Sequence, residues 1–388
     1  MERIDADWLR DDRTQDVMRA LLGAGHQAFA VGGCVRNALL GVPVTDIDIA
    51  TSATPDQTGL ISEGAGFKAI PTGADHGTIT VVCRDMAFEV TTFRHDVETD
   101  GRRAVVAFTD RMDEDARRRD FTMNALYVDA DGVLHDPLGG LADLEARTLR
   151  FIKDPEARIR EDYLRSLRFF RFHAQYGDPS RGLDPDALDA IAAHVDGLSS
   201  LPGERIGAEM RKLLVAKNPA LAIAAMEHTG VLAALPGASM VAIAPLVHLE
   251  TDVARDPSFV RRLVALGGEK PRARLRLSKK DATARRLLRN CLKDGTDLAE
   301  VAYRHGVDVG WDIALLRGAL MSAPLAGDTA QIISHAGERT FPLSAADLMP
   351  TFTGKALGET LDRVERAWIA SGFQLSRDEL LTLAISQG

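Results

Sequence analysis

Residues 27–51 read QAFAVGGCVRNALLGVPVTDIDIAT, and this stretch decides how the rest of the chain is read. An apolar run, Ala28–Val31, ends at Gly32–Gly33 and passes straight into a helical pattern, CVRNALLG. Paired glycines let a backbone approach a ligand closely, and a new helix presents free N–H groups to an anion. Arg36 falls in the first turn, where a guanidinium adds a charge-assisted contact to phosphate. The other half of the stretch, Thr45–Thr51, alternates polar and apolar residues as a half-buried strand does. Side chains two apart on a strand share a face, so Asp46 and Asp48 are expected to point one way while Ile47 and Ile49 pack on the other. Two carboxylates so close repel unless a cation lies between them. Mg2+, held by one or two carboxylates plus substrate phosphates, is the natural ion. Standing alone, such a short pattern is also that of a solvated strand end, so its company matters.

Outward from this stretch, β-rich runs alternate with helical ones as far as about residue 152: GTITVVC, MAFEVTTF, AVVAF, NALYVDA and TLRFI as strands, PDQTGLISEGA as a helix. Asp131–Gly132, between NALYVDA and VLHDPL, predicts a hairpin turn. Beyond Asp154 the apolar spacing becomes helical, as in EARIREDYLRSLRFFRFHAQYG and GERIGAEMRKLLVAK, and no further strand is expected up to Gly388. The expected fold class is therefore α+β, a mixed-sheet head followed by an all-α half. There is no GxxxxGK[ST] loop and no Gly-rich dinucleotide fingerprint after a strand. A third element is Arg117-Arg118-Arg119-Asp120, followed by Asn124 at the start of an apolar strand. Arginines at the edge of a core usually pair with an anion. A triphosphate tail would serve, leaving Asp120 or Asn124 to meet a ribose hydroxyl. Asp136-Pro137-Leu138-Gly139-Gly140 reads as a plain turn before a helix.

In order, GGCVRNALLG, DIDIAT, RRRDFTMNALYVD, HDPLGG and IREDYLRSLRFFRF resemble the class II tRNA nucleotidyltransferases, the CCA-adding enzymes, with the bacterial poly(A) polymerases as close relatives. The resemblance runs over roughly residues 27–210. It implies a DNA polymerase β-like nucleotidyltransferase head at 1–152, a helical neck at 153–215, a body at 216–290 and a tail at 291–388. It implies that Asp46 and Asp48 are the metal-binding and catalytic pair, and that Gly32, Gly33 and Arg36 form the phosphate-holding turn. Arg118, Arg119, Asp120 and Asn124 then match the motif that contacts the nucleotide. Polymerases of this superfamily often use a third carboxylate on a neighbouring strand; Glu89 is the candidate, with an acid paired to an arginine as the alternative. One departure is Asn37, where the family usually has Asp.

In Glu161-Asp162-Tyr163-Leu164-Arg165-Ser166-Leu167-Arg168 the acids lie one helical turn from Arg165, the spacing of an ordinary ion pair. The same residues suit a base reader. Cytosine and adenine each present an amino donor beside a ring-nitrogen acceptor, so a carboxylate and a guanidinium together match both. Uracil and guanine present the opposite pattern and leave buried groups unpaired. The resemblance implies this role for Asp162 and Arg165, and Arg168 completes the nucleotide-binding set. It further implies addition of CCA to the tRNA 3′ end from CTP and ATP, with two Mg2+ ions and release of pyrophosphate. Poly(A) synthesis on the same head is the main alternative; a non-catalytic RNA-binding protein and a small-molecule nucleotidyltransferase are the others. Residues 91–108 are polar and charged in the middle, and a mobile loop is expected there. In the family such a loop accompanies the switch from adding C to adding A.

Composition completes the reading. A chain of 388 residues suits two or three domains. Cys34, Cys83 and Cys291 form no CxxC pair, which excludes a disulfide scaffold and suits a reducing compartment. Without a signal-peptide pattern at the N-terminus or an apolar run near the ~18 residues of a membrane helix, a soluble, cytoplasmic protein is expected. The net charge of −9 conceals twelve Lys/Arg against three Asp/Glu over 255–290, a local +9. Arg272, Arg274, Arg276, Lys279 and Lys280 at its centre are expected to meet RNA phosphates. Phe259 is the one aromatic there, so recognition of a folded duplex arm, as in tRNA, is expected rather than base stacking. No obligatory protein partner is evident.

Overall fold

The computed structural model describes residues 2–100, 103–234, 242–268 and 274–386, with the backbone alone at Asp75, 96–100 and 103–106. The chain forms two compact units that divide between residues 235 and 236. This point lies inside the segment expected as the body.

The first unit is built on a seven-stranded mixed sheet. Its strands are β1 (Ala28–Val31), β2 (Asp48–Thr51), β3 (Lys68–Gly73), β4 (Thr78–Cys83), β5 (Met86–Thr92), β8 (Tyr127–Val128) and β9 (Leu134–His135), in the order β3-β4-β5-β2-β1-β8-β9. β2 and β5 run parallel, and the other pairings are antiparallel. Gly32 has φ 73°, a backbone that L side chains rarely adopt, and turns β1 into helix Gly33–Leu39. Helix Pro55–Gly64 starts at a capping box, in which the Thr54 N–H donates to Gln57 Oε1 at 2.9 Å and Thr54 Oγ1 accepts from the Gln57 N–H. Val31, Ala50, Phe93, Ala116, Ala125, Tyr127 and Ile152 are buried together, which joins the sheet to helix Met112–Arg118.

Four local expectations are corrected. Residues 91–108 carry an antiparallel ribbon rather than a mobile loop: β7 (Arg103–Phe108) holds the strand expected at AVVAF, and β6 (Arg94–Asp100), which was not expected, pairs with it. A register shift between Asp96 and Glu98 breaks the period-two pattern that would have revealed β6. KAIPTG, read as no element, is strand β3; Pro71 is tolerated because the strand lies at the sheet edge. TLRFI forms only a bridge from Phe151 to Phe121 and buries Leu149, Phe151 and Ile152 instead. The long helical pattern after Asp154 is two helices, Pro155–Glu161 and Leu164–Tyr176. Between them Asp162 is extended (φ −153°, ψ 104°), and its carboxylate accepts from the Leu164 N–H at 3.1 Å, a local bond that competes with helix continuation. The hairpin at Asp131–Gly132 does form, joining β8 to β9.

In the second unit the described residues contain helices and no strand. One core gathers Ala302, Ile333, Val364, Trp368, Phe373 and Leu380. Near it Glu250, 2% exposed, accepts from Arg261 Nε at 2.7 Å and Arg262 Nε at 2.8 Å, and Arg261 Nη1 also donates to Asp312 at 2.7 Å. Among the described residues no helix is long and apolar enough to cross a membrane. Breaking a buried ion pair strands the remaining charge. Glu250→Gln should therefore lower the unfolding free energy by about 3 kcal/mol in urea titration of the full chain; a loss below about 1 kcal/mol would contradict this placement.

Candidate active site

The site grows from β2. Ile47 and Ile49 are buried, Asp46 is exposed and Asp48 is half-buried, as alternation requires, although the strand itself starts only at Asp48. The parallel pairing of β2 with β5 sets Asp48 directly opposite Glu89, which is exposed. Burial raises the Asp48 carboxyl, and the neighbouring charges of Glu89 and Asp46 add to it against Arg119 and Arg36, pushing it up to about 6. Beneath, the Cys34 thiol is pushed up to about 11 by burial and then by the Asp48 charge, so it stays a protonated core group. Asp46, Asp48 and Glu89 offer only hard oxygen donors and mutual repulsion, an environment that a small divalent cation relieves. Among the described residues no group of three or more His, Cys, Asp or Glu is preassembled as a metal cage.

The arginine motif is held from within the chain. Arg117 pairs with Asp113 at 2.7 Å. Arg119 donates to Asp115 at 2.9 Å and, through Nε, to the Tyr127 hydroxyl at 3.0 Å, while that hydroxyl donates to Asp115 at 2.8 Å. Arg118 lies 3.8 Å from the same carboxylate, which is almost wholly buried. The anion expected beside these arginines is thus in part Asp115. Its i,i+4 spacing from Arg119 was the signal that sequence reading passed over.

Asp120 and Asn124 are expected to face a ribose; here they are engaged by side chains. Asp120 Oδ1 accepts from the Phe121 N–H and from Asn124 Nδ2, both at 2.9 Å, and Oδ2 accepts from Arg168 at 2.5 and 2.8 Å. Burial works against the charged Asp120, but Arg168, Asn124 and the Phe121 N–H outweigh it and hold the carboxyl at about 2. Asn124 Oδ1 accepts from Arg36 Nη1 at 2.6 Å. Arg36 is 6% exposed, donates to Asn37 Oδ1 at 2.8 Å and to the Tyr176 hydroxyl at 2.9 Å, and lies 4.1 Å from the Tyr176 ring centre. Asn37 Nδ2 in turn donates to Pro43 O at 3.0 Å. Gly32 sits close to this group, since a Cβ there would meet Arg119 Nη1 at 3.4 Å; Gly33 lies next to Arg36.

Asp162 and Arg165 lie on either side of the helix break; the Arg165 N–H donates to Asp162 O at 2.9 Å, but their side chains take other partners. Asp162 accepts from Arg205 Nη2 at 2.7 Å, and Arg165 pairs with Glu161 and donates to Arg158 O at 2.8 Å. Arg158, Arg205, Tyr176 and Glu209, whose carboxylate accepts from Arg171 Nε at 2.5 Å, carried no local pattern in the sequence. The basic stretch is narrower than its charge suggests. Arg261 and Arg262 are core residues, Arg255 pairs with Asp308 at 3.1 Å, and Arg285 donates to the carbonyls of Gly267 and Gly268. Arg276, Lys279 and Lys280 are exposed and Arg274 is half-buried; Arg272 lies outside the described residues.

These features define a nucleotidyltransferase, with a carboxylate-bearing sheet bordered by a fixed arginine motif. Comparison with known proteins agrees. The family described as "Poly A polymerase head domain" matches residues 28–150, and "Probable RNA and SrmB- binding site of polymerase A" matches residues 182–240. The chain is 32% identical to human "CCA tRNA nucleotidyltransferase 1, mitochondrial" over 387 residues, covering 92% of this chain and 86% of the relative. It is 42% identical over 223 residues to the CCA-adding enzyme of Geobacillus thermodenitrificans, covering 57% of this chain and 54% of that one. Among solved structures, the Bacillus stearothermophilus CCA-adding enzyme in complex with CTP superposes with a TM-score of 0.74 at 29% identity, over 97% of both chains. The Thermotoga maritima CCA-adding enzyme complexed with tRNA shares the fold at 19% identity, with a TM-score of 0.72 over 100% of this chain and 97% of that one. This chain belongs to the family of CCA-adding tRNA nucleotidyltransferases.

The role of Asp115 in fixing the arginines is directly measurable. Asp115→Asn removes the one buried charge shared by Arg119 and Arg118. It should cost about 3 kcal/mol of stability in chemical denaturation, and a change within about 0.5 kcal/mol would contradict the assignment.

Proposed function

We infer that this chain adds or repairs the 3′-terminal CCA of tRNA, using CTP and ATP without a nucleic-acid template and releasing pyrophosphate. The observation that carries this is similarity to a CCA tRNA nucleotidyltransferase along 92% of the chain, because the head alone is shared with poly(A) polymerases. The parts we assign are a catalytic head at 1–152, a neck at 153–215, a body at 216–290 and a tail at 291–388.

In the mechanism we propose, Asp46 and Asp48 hold Mg2+, with Glu89 beside them. The ion supplies activation of the RNA 3′-hydroxyl and charge stabilisation at the α-phosphate when bound. The chain's own residues do the rest. The turn at Gly32–Gly33 brings backbone N–H groups towards the phosphates, and Arg118 and Arg119 offset their charge. Arg36, fixed between Asn37, Asn124 and Tyr176, keeps that turn and Asn124 in place. Asp120 and Asn124 border the sugar. Asp162 accepts from the amino group of cytosine or adenine while Arg165 donates to the ring nitrogen; Arg168 keeps Asp120 ionised beneath them. Both bases satisfy one pair of side chains, so no template strand is needed. In the second unit Arg274, Arg276, Lys279 and Lys280, with Arg272, are the proposed phosphate contacts of the tRNA arm. The three cysteines are buried and unpaired, in keeping with a reducing compartment, and we place the protein in the cytoplasm.

The test uses tRNA ending at its discriminator base, with Mg2+ and CTP alone, ATP alone, or both. Two additions with CTP and three with both are expected; long ladders with ATP alone would support poly(A) synthesis instead. Asp48→Ala should lower turnover on the order of 10^3-fold, and near-normal turnover would overturn the metal assignment. The β6–β7 ribbon lies beside helix 112–118, where His95 Nδ1 is 3.4 Å from Glu114. We assign it the switch from C to A. Deleting His95–Gly101 should stall products after the second C, and A addition at the normal rate would rule this out.

A further inference from the structure

Arg158 is a buried cation that joins the neck to the backbone of the arginine motif. It is 3% exposed, on helix 155–161, forty residues from its head partners. Nη2 donates to the carbonyl of Arg118 and, at 2.7 Å, to that of Arg119. Nη1 pairs with Glu161, whose same oxygen Oε2 also receives Arg165 Nη1. Arg165 closes the circuit, donating through Nη1 to Arg158 O at 2.8 Å and through Nη2 to Arg118 O at 3.4 Å. The Arg118 and Arg119 carbonyls stand at the end of helix 112–118, where carbonyls lack helical partners and carry the negative end of the dipole. A planar guanidinium can serve two carbonyls and a carboxylate together; a lysine ammonium is a single point.

We propose that Arg158 is a positioning residue that couples base identity, sensed at Arg165, to the placement of the phosphate-facing arginines 118 and 119. The proposal rests on the base-reading role given to Arg165 above. When cytosine accepts from Arg165, the guanidinium stays in the circuit with Glu161, and Arg158 holds the two carbonyls where the arginine side chains meet the triphosphate. A uracil presents an N–H to Arg165 and displaces it. Glu161 is shared, so the displacement reaches Arg158 and then the backbone of Arg118 and Arg119. The wrong base is thus penalised twice, at its own edge and at its phosphates.

The experiment compares single-nucleotide addition by the full-length chain with CTP and with UTP, for Arg158→Lys, Glu161→Gln and the control Arg165→Ala. Arg158→Lys should lower kcat/KM for CTP by at least about tenfold while changing that for UTP by less than about threefold, so that the CTP:UTP ratio falls. A purely structural role would lower both together and leave the ratio intact. If Arg158→Lys does not fold, Glu161→Gln decides, because it weakens the same link while the Arg118 and Arg119 carbonyls still hold the Arg158 guanidinium; its ratio should also fall. If Arg165→Ala loses selectivity while both other variants keep it, the coupling is wrong and the base reader stands. If Arg165→Ala keeps selectivity, the base-reading role fails and the coupling fails with it.

Discussion

The buried carboxylate of Asp120 is the interaction on which the rest of the first unit depends. It is almost fully enclosed, and a charge so placed is tolerable only while every partner stays in reach. Its partners come from two directions. Asn124 and the Phe121 N–H belong to the head, whereas Arg168 belongs to helix 164–176. Asn124 passes the link on to Arg36 and so to the glycine turn and to Tyr176. The arginine motif, the glycine turn and helix 164–176 are therefore linked through one chain of side-chain hydrogen bonds. In the proposed function this link sets the distance between the base reader and the reacting phosphate.

On β2 and β5 the arrangement is reversed, and like charges lie side by side. Asp46, Asp48 and Glu89 crowd together, with Glu89 opposite Asp48 across a parallel pair, and Asp48 is pushed up as a result. Nearby Asp115 is instead fully matched, by Arg119 and Tyr127. The contrast separates an acid that fixes an arginine from acids that face one another; Arg119 is held by its own buried partner, Asp115.

Much of this was legible in the sequence because it was written locally. The alternation in DIDIAT fixed which way Asp46 and Asp48 face, and glycines 32 and 33 marked the turn. Helical spacing after Asp154 foretold an all-α second half. What could not be read depends on partners far along the chain. Nothing local separates Arg261 and Arg262, buried on Glu250, from Lys279 and Lys280, exposed on the same basic stretch. The break at Asp162 follows from a side chain bonding its own backbone within an otherwise helical pattern. β6 was hidden by a register shift, and Asp115 by the assumption that its arginines waited for a ligand.

Asp120 and Arg168 tie the sheet-bearing part of the first unit to helix 164–176. A double-mutant cycle on kcat/KM for CTP addition, with Asp120→Asn, Arg168→Gln and the pair, measures that coupling most directly. A coupling energy of about 2 kcal/mol or more is expected, with the double variant scarcely worse than either single one. Additive losses, with coupling below about 0.5 kcal/mol, would show that the two residues act independently and would contradict it.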